Sequence, residues 1–201
     1  MLPPTFLRVV AAAVVVAVLA VDLPPARGQD AGGKLYRAVE ACQKVAKKHL
    51  VLAENTISGA VRQTGDANAT IEAYVRLWGE RVSAGADGVP GAAARIRKCQ
   101  DAFTASLDAI LVTLEDRLRQ SLEKQMLWYD EQMFGLFTDA ISEATIDGVV
   151  QSVKFHLEPT LKIFDNQAVS GIKDAIKSMK PAYQTVSSCI RGQSLLADRF
   201  H

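Results

Sequence analysis

Three cysteines, three histidines and one run of aromatic residues are the groups in this chain that could carry chemistry. Cys42, Cys99 and Cys189 are far apart in sequence, and no CxxC occurs, so neither a redox dithiol nor a zinc site is indicated. His49, His156 and His201 have no carboxylate or thiol at a recognisable metal-ligand spacing. The lysines around His49 (Lys44, Lys47 and Lys48) form a small basic patch of the kind a solvated helix face carries. Carboxylates are scattered, and Glu115 and Arg119 are spaced as a surface ion pair worth about 0.3–0.5 kcal/mol. There is no GxSxG, HExxH, P-loop or dinucleotide fingerprint. The sequence therefore predicts a non-enzymatic protein with no cofactor, no metal and no catalytic residue.

Cysteine chemistry depends on compartment, and the N-terminus bears on that. Arg8 precedes thirteen apolar residues, Val9–Val21, and small residues follow. A membrane-spanning helix needs about 20 apolar residues, so the run is too short to span. It is laid out as a secretory signal peptide, residues 1–28, with cleavage expected after Gly28 or, alternatively, after Ala20. Removing 1–28 leaves 173 residues with 21 basic and 21 acidic side chains. Zero net charge argues against nucleic acid as a partner. The expected product is secreted and extracellular. There disulfides are the default, so Cys99 is expected to be oxidised. Cys42 and Cys99 both stand near a helix start and on a core stripe, which makes them the favoured pair. Cys189 is the second choice as partner of Cys99; in the favoured pairing it is left over and able to link a second chain.

The elements that must position these groups are helices. Apolar residues recur every three or four positions from Leu35 to Val61, from Ile71 to Val82, from Ile96 to Met133 and from Leu161 to Met179. Unbroken, the third of these would be about 40 residues and roughly 60 Å long. Gly65 in "TGDANAT", the "SAGADGVPG" segment, Gly135, Pro159 and Pro181 are the expected interruptions, and Gly192 the final stop. The alternation in "VKFHL" resembles a strand but has nothing to pair with, so it is assigned to a helix end. No internal repeat or low-complexity block is evident. The expected fold is all-α: an elongated up-and-down bundle of five or six amphipathic helices, with a single domain over 29–192 and a flexible tail over 193–201.

Two surface features follow. Asn68-Ala69-Thr70 is an N-x-[ST] sequon in a predicted turn, so Asn68 is a candidate glycosylation site. "MLWYDEQMFGLF" gathers Met126, Trp128, Tyr129, Met133, Phe134 and Phe137, which fall on more than one helix face. The bland reading is the packed end of the bundle; the sharper one is a contact surface for protein or lipid.

The layout over residues 29–192, with the terminal "AYQTVSSCIRG" cysteine helix, resembles the insect secreted helical proteins grouped with the tsetse EP protein. That resemblance implies an extracellular, non-catalytic product and transfers no binding residues. Two functions from different classes are expected on these grounds. One is a secreted interaction protein that binds another protein or itself. The other is a lipid-associating carrier like the exchangeable apolipoproteins.

Overall fold

A computed structural model describes residues 29–85, 91–138 and 143–197. The segment read as a signal peptide lies outside the described residues. Three helices make up the described chain: α1 (Gln29–Gly85), α2 (Ala92–Thr138) and α3 (Glu143–Ala197). Every described residue except Gly91 is helical, and none forms a strand. The described chain is all-α, as the sequence predicts, but in place of the expected five or six helices the described residues form three.

The chain divides into two compact units. Among the described residues, the first draws on 29–54 and 119–165, the second on 55–118 and 166–197. Each unit thus contains a stretch of all three helices. Within the first unit, His49 meets Gln125 and Glu54 meets Arg119, so α1 and α2 run antiparallel. Within the second, Gly171 faces Leu114 while Cys189 meets Cys99, so α2 and α3 are antiparallel as well. Val75, Ile96, Cys99, Phe103, Leu107, Met179, Val186 and Ile190 form one buried cluster of that second unit.

Burial reveals a repeat that residue identities hide. On α3, Ile146, Leu157, Ala168, Met179 and Ile190 are buried at intervals of eleven, and Val153, Phe164, Ala175 and Val186 form a second such row. Ile96, Leu107, Leu118 and Tyr129 do the same on α2, and Cys42, Ala53, Thr64 and Val75 on α1. Eleven residues in three turns is about 3.67 per turn, close to the 3.6 of a relaxed helix. A row of this period therefore stays on one side of its helix over many turns. The repeat is not evident in the sequence because the positions are filled by Ile, Leu, Ala, Met, Cys and Thr alike.

The same rows explain why the expected breaks fail to appear. A glycine inside a helix costs about 1 kcal/mol relative to alanine. Gly65 is flanked by buried Thr64 and Asn68, and tertiary packing outweighs so small a penalty. Gly135 likewise lies within α2 and Gly192 within α3. Pro159 and Pro181 both lie inside α3 on exposed positions. Each removes one N–H, and the carbonyls that lose it, on Phe155 and Lys177, belong to exposed residues that water can serve. Next to Pro159, the Thr160 hydroxyl donates to the carbonyls of His156 and Leu157, both at 2.9 Å. The chain stays helical through Ala197, so the tail expected from residue 193 lies within α3 as far as that residue. Residues 198–201 lie outside the described residues.

Among the described residues, one glycine is required by backbone geometry. Gly91 has φ +76°, a conformation side chains disfavour, and its carbonyl accepts the Arg95 N–H at 3.1 Å to open α2. Two other glycines answer differently to a methyl group. A Cβ on Gly65 would meet nothing within 4 Å, whereas one on Gly79 would collide with the Gln100 amide. That amide donates to the Val75 and Arg76 carbonyls, both at 3.2 Å. Gly65→Ala is expected to raise stability by about 1 kcal/mol, while Gly79→Ala should forfeit that gain by displacing Gln100. Urea denaturation of the two variants against wild type checks this, and equal gains would show that the Gln100 contact is immaterial.

Candidate functional site

The thiols are placed differently from the sequence expectation. Cys99 and Cys189 form a disulfide that joins α2 to α3, with Cα atoms 5.9 Å apart. The favoured pairing of Cys42 with Cys99 is therefore corrected. The physical reason is that Cys99 and Cys189 belong to one unit and Cys42 to the other. The unpaired cysteine is Cys42, only 1% exposed. The cysteine left over, expected to be Cys189, is thus Cys42, which is buried and not at the surface.

Cys42 is chemically quiet as well as buried. Burial pushes its thiol pKa up, only partly offset by the Lys154 charge. A thiol held neutral is a poor nucleophile and a poor metal ligand. Tyr129, on the facing stripe of α2, is also shifted upward, first by burial, then by the negative charge that Cys42 would carry once ionised and by that of Asp130. Both groups are neutral in the folded state and ionise more easily in the unfolded one. Their contribution to stability is full below the ordinary thiol pKa of about 8.5 and declines as pH rises past it and then past about 10. Stability is expected to fall progressively above about pH 9 in urea titrations. Tyr129→Phe combined with Cys42→Ala should flatten the alkaline limb. A limb of unchanged steepness in that double variant would assign the loss to other groups.

The two histidines within the described residues occupy different settings in the first unit. His49 is 4% exposed; its Nε2 lies 2.6 Å from Gln125 Oε1, and its Nδ1 is buried without a partner. Lys44, Lys47 and Lys48 beside it are exposed, as a solvated face should be. His156 stacks on Trp128, with ring centroids 3.7 Å apart and planes 21° from parallel. Sequence reasoning missed this stack, because only the pairing of α2 with α3 brings the rings together. His201 lies outside the described residues.

The aromatic cluster is divided by the fold. Met126, Tyr129 and Met133 are buried on the α2 stripe, and Trp128 is half-covered by its stack. Phe134 is 69% exposed. Phe137 is within α2, and its side chain lies outside what the structure describes. Of the expected contact surface, half is core. Other exposed apolar side chains, such as Leu127 and Phe155, are spread over more than one helix.

Asn68 also departs from expectation. It sits inside α1, not in a turn, and is 7% exposed. Its Nδ2, the atom that would carry a glycan, donates to the Leu107 carbonyl at 3.0 Å. That atom is therefore engaged in the contact between α1 and α2. Nearby, Glu72, Arg76, Glu80, Arg97, Gln100, Asp101 and Thr104 line a shallow groove between α1 and α2. Its polar groups serve one another: Thr104 Oγ1 donates to Glu72 Oε1 at 3.1 Å, and Arg76 Nη2 pairs with the same oxygen at 3.3 Å. Across α1 and α2 of the first unit, Arg119 Nη1 reaches both Glu54 carboxylate oxygens at 3.3 Å. Exposed pairs of this kind contribute about 0–1 kcal/mol.

Among the described residues, no three His, Cys, Asp or Glu side chains converge as a metal site, and no helix is long and apolar enough to cross a membrane. The class that fold and site define is an all-helical bundle protein with one inter-helix disulfide. Comparison of the chain with family models, with curated proteins and with solved structures found no match.

Proposed function

We propose that this chain is a secreted, non-enzymatic helical interaction protein that binds a protein partner or a second copy of itself. The observation that carries this reading is the Cys99–Cys189 disulfide. Structural disulfides persist in oxidising compartments, which agrees with residues 1–28 acting as a secretory signal. The layout shared with secreted insect helical proteins of the tsetse EP type supports the same reading. Exposed aromatic side chains, Phe134 and Phe155 among them, supply apolar contact area.

A second reading, the lipid-associating carrier, draws on a separate observation. The eleven-residue burial rows run along all three helices and are filled mainly by apolar side chains, on α2 and α3 above all. Such helices can exchange core contacts for lipid. The α2–α3 bridge opposes full opening.

Expressing the full chain in a secretory host tests both readings. The interaction reading expects protein in the medium, cleaved near Gly28, whose light-scattering mass rises with concentration under non-reducing conditions. Clearance of phosphatidylcholine vesicles by the same material would favour the carrier instead. Retention of uncleaved chain inside the cell would overturn secretion, and a monomer of constant mass would overturn self-association.

A further inference from the structure

We infer that α1 is a detachable strap, released as a unit from an α2–α3 pair that stays together. Three observations converge on α1, and they are independent of the proposed function.

The first is the size of its buried side chains. The inward positions of α1 include Ala38, Ala46, Ala53 and Ala60, and its only large fully buried side chains are Ile57 and Val75. In contrast, α2 buries Ile96, Leu107 and Leu118, and α3 buries Leu157, Phe164 and Met179. Hydrophobic stabilisation scales with apolar area removed from water, so α1 contributes least to holding itself in place.

The second is polar. Among the described residues, the buried side-chain atoms without a hydrogen-bond partner are His49 Nδ1, Thr64 Oγ1 and Asn68 Oδ1. All three belong to α1. A buried polar atom left unpaired favours the state in which water reaches it, and that state is the one with α1 released. Asn68 Nδ2 and His49 Nε2 do find partners on α2, while the other polar atom of each side chain remains unserved. Further α2-to-α1 bonds, from Gln100 and Thr104, lie at the exposed groove where water can replace them.

The third is covalent. The only disulfide among the described residues joins α2 to α3, and nothing comparable holds α1. Two ion pairs reach from α1 to the other helices, Lys34–Asp147 and Glu54–Arg119, and both are partly exposed and weak.

Hydrogen exchange on the full oxidised protein, read helix by helix, tests the inference. The amides of α1 are expected to exchange together, with protection about 100-fold below the slowest amides of α2 and α3. Thr64→Val removes one orphaned oxygen at nearly constant shape, and should raise protection in α1 by about tenfold while leaving α2 and α3 unchanged. If this variant proves poorly folded, the wild-type pattern alone decides. Equal protection in all three helices, or a Thr64→Val gain shared by all three, would overturn the proposal.

Discussion

Reducing the Cys99–Cys189 bridge is expected to lower stability by about 4–5 kcal/mol. The bridge closes a loop whose ends are 90 residues apart. In the chain-entropy account, a cross-link of that span removes that much conformational freedom from the unfolded state. The loss would be a large share of the 5–15 kcal/mol by which domains are commonly stable. At roughly 2–4 °C per kcal/mol for a chain of this size, the melting temperature should drop by roughly 8–20 °C. Cys189 is exposed, so reductant can reach the bridge without prior unfolding. Cys99→Ser and Cys189→Ser should each reproduce the reduced protein, and the double variant should cost no more than either alone. Cys42→Ala should leave the response to reductant intact. If that substitution abolished the response, the bridge in solution would involve Cys42 instead.

The second large effect concerns Phe164, a fully buried side chain in the α3 row that also holds Val153, Ala175 and Val186. Phe164→Ala deletes a whole ring from a packed interior, and such deletions cost about 3–5 kcal/mol through lost burial and the cavity left behind. Phe155 offers the control on the same helix. It is 76% exposed, so Phe155→Ala should stay within about 0.5 kcal/mol of wild type. Both are read from urea midpoints at unchanged slope. A small loss at position 164 would mean that the surrounding side chains collapse into the space, and that the row is less tightly packed than the structure describes.

How much of this was legible beforehand depends on how local the cause is. The helical character of Leu35–Val61 or Ile96–Met133 is written in apolar spacing, and the structure retains it. The breaks at Gly65, Gly135, Pro159 and Pro181 were read from local propensity, and each was overruled. A penalty of about 1 kcal/mol for a glycine is small beside the burial of a row of side chains. A proline is tolerated where its orphaned carbonyl faces solvent, which depends on helix orientation, not residue type.

The misplaced breaks had a further consequence for the thiols. With α2 cut at Gly135 and α3 cut at Pro159 and Pro181, Cys99 and Cys189 would stand on unrelated short helices. Drawn as continuous antiparallel neighbours, α2 and α3 bring the beginning of one beside the end of the other, and the pair becomes natural. The burial of Asn68 was hidden for a related reason: a sequon in a presumed turn looks exposed, whereas the same residues in a continuous helix place Asn68 in the inward row of Ala46 and Ile57.

By itself the sequence determined the all-helical class, the amphipathic stripes and the residues that could be disulfide-bonded, because helix formation and apolar periodicity act over a few neighbouring positions. Only the tertiary structure decided the number of helices, the partner of Cys99, the burial of Asn68 and the stacking of Trp128 on His156. Each of these depends on how one helix is aligned against another. That alignment comes from the sum of many contacts between residues distant in sequence, and no short stretch contains both sides of them.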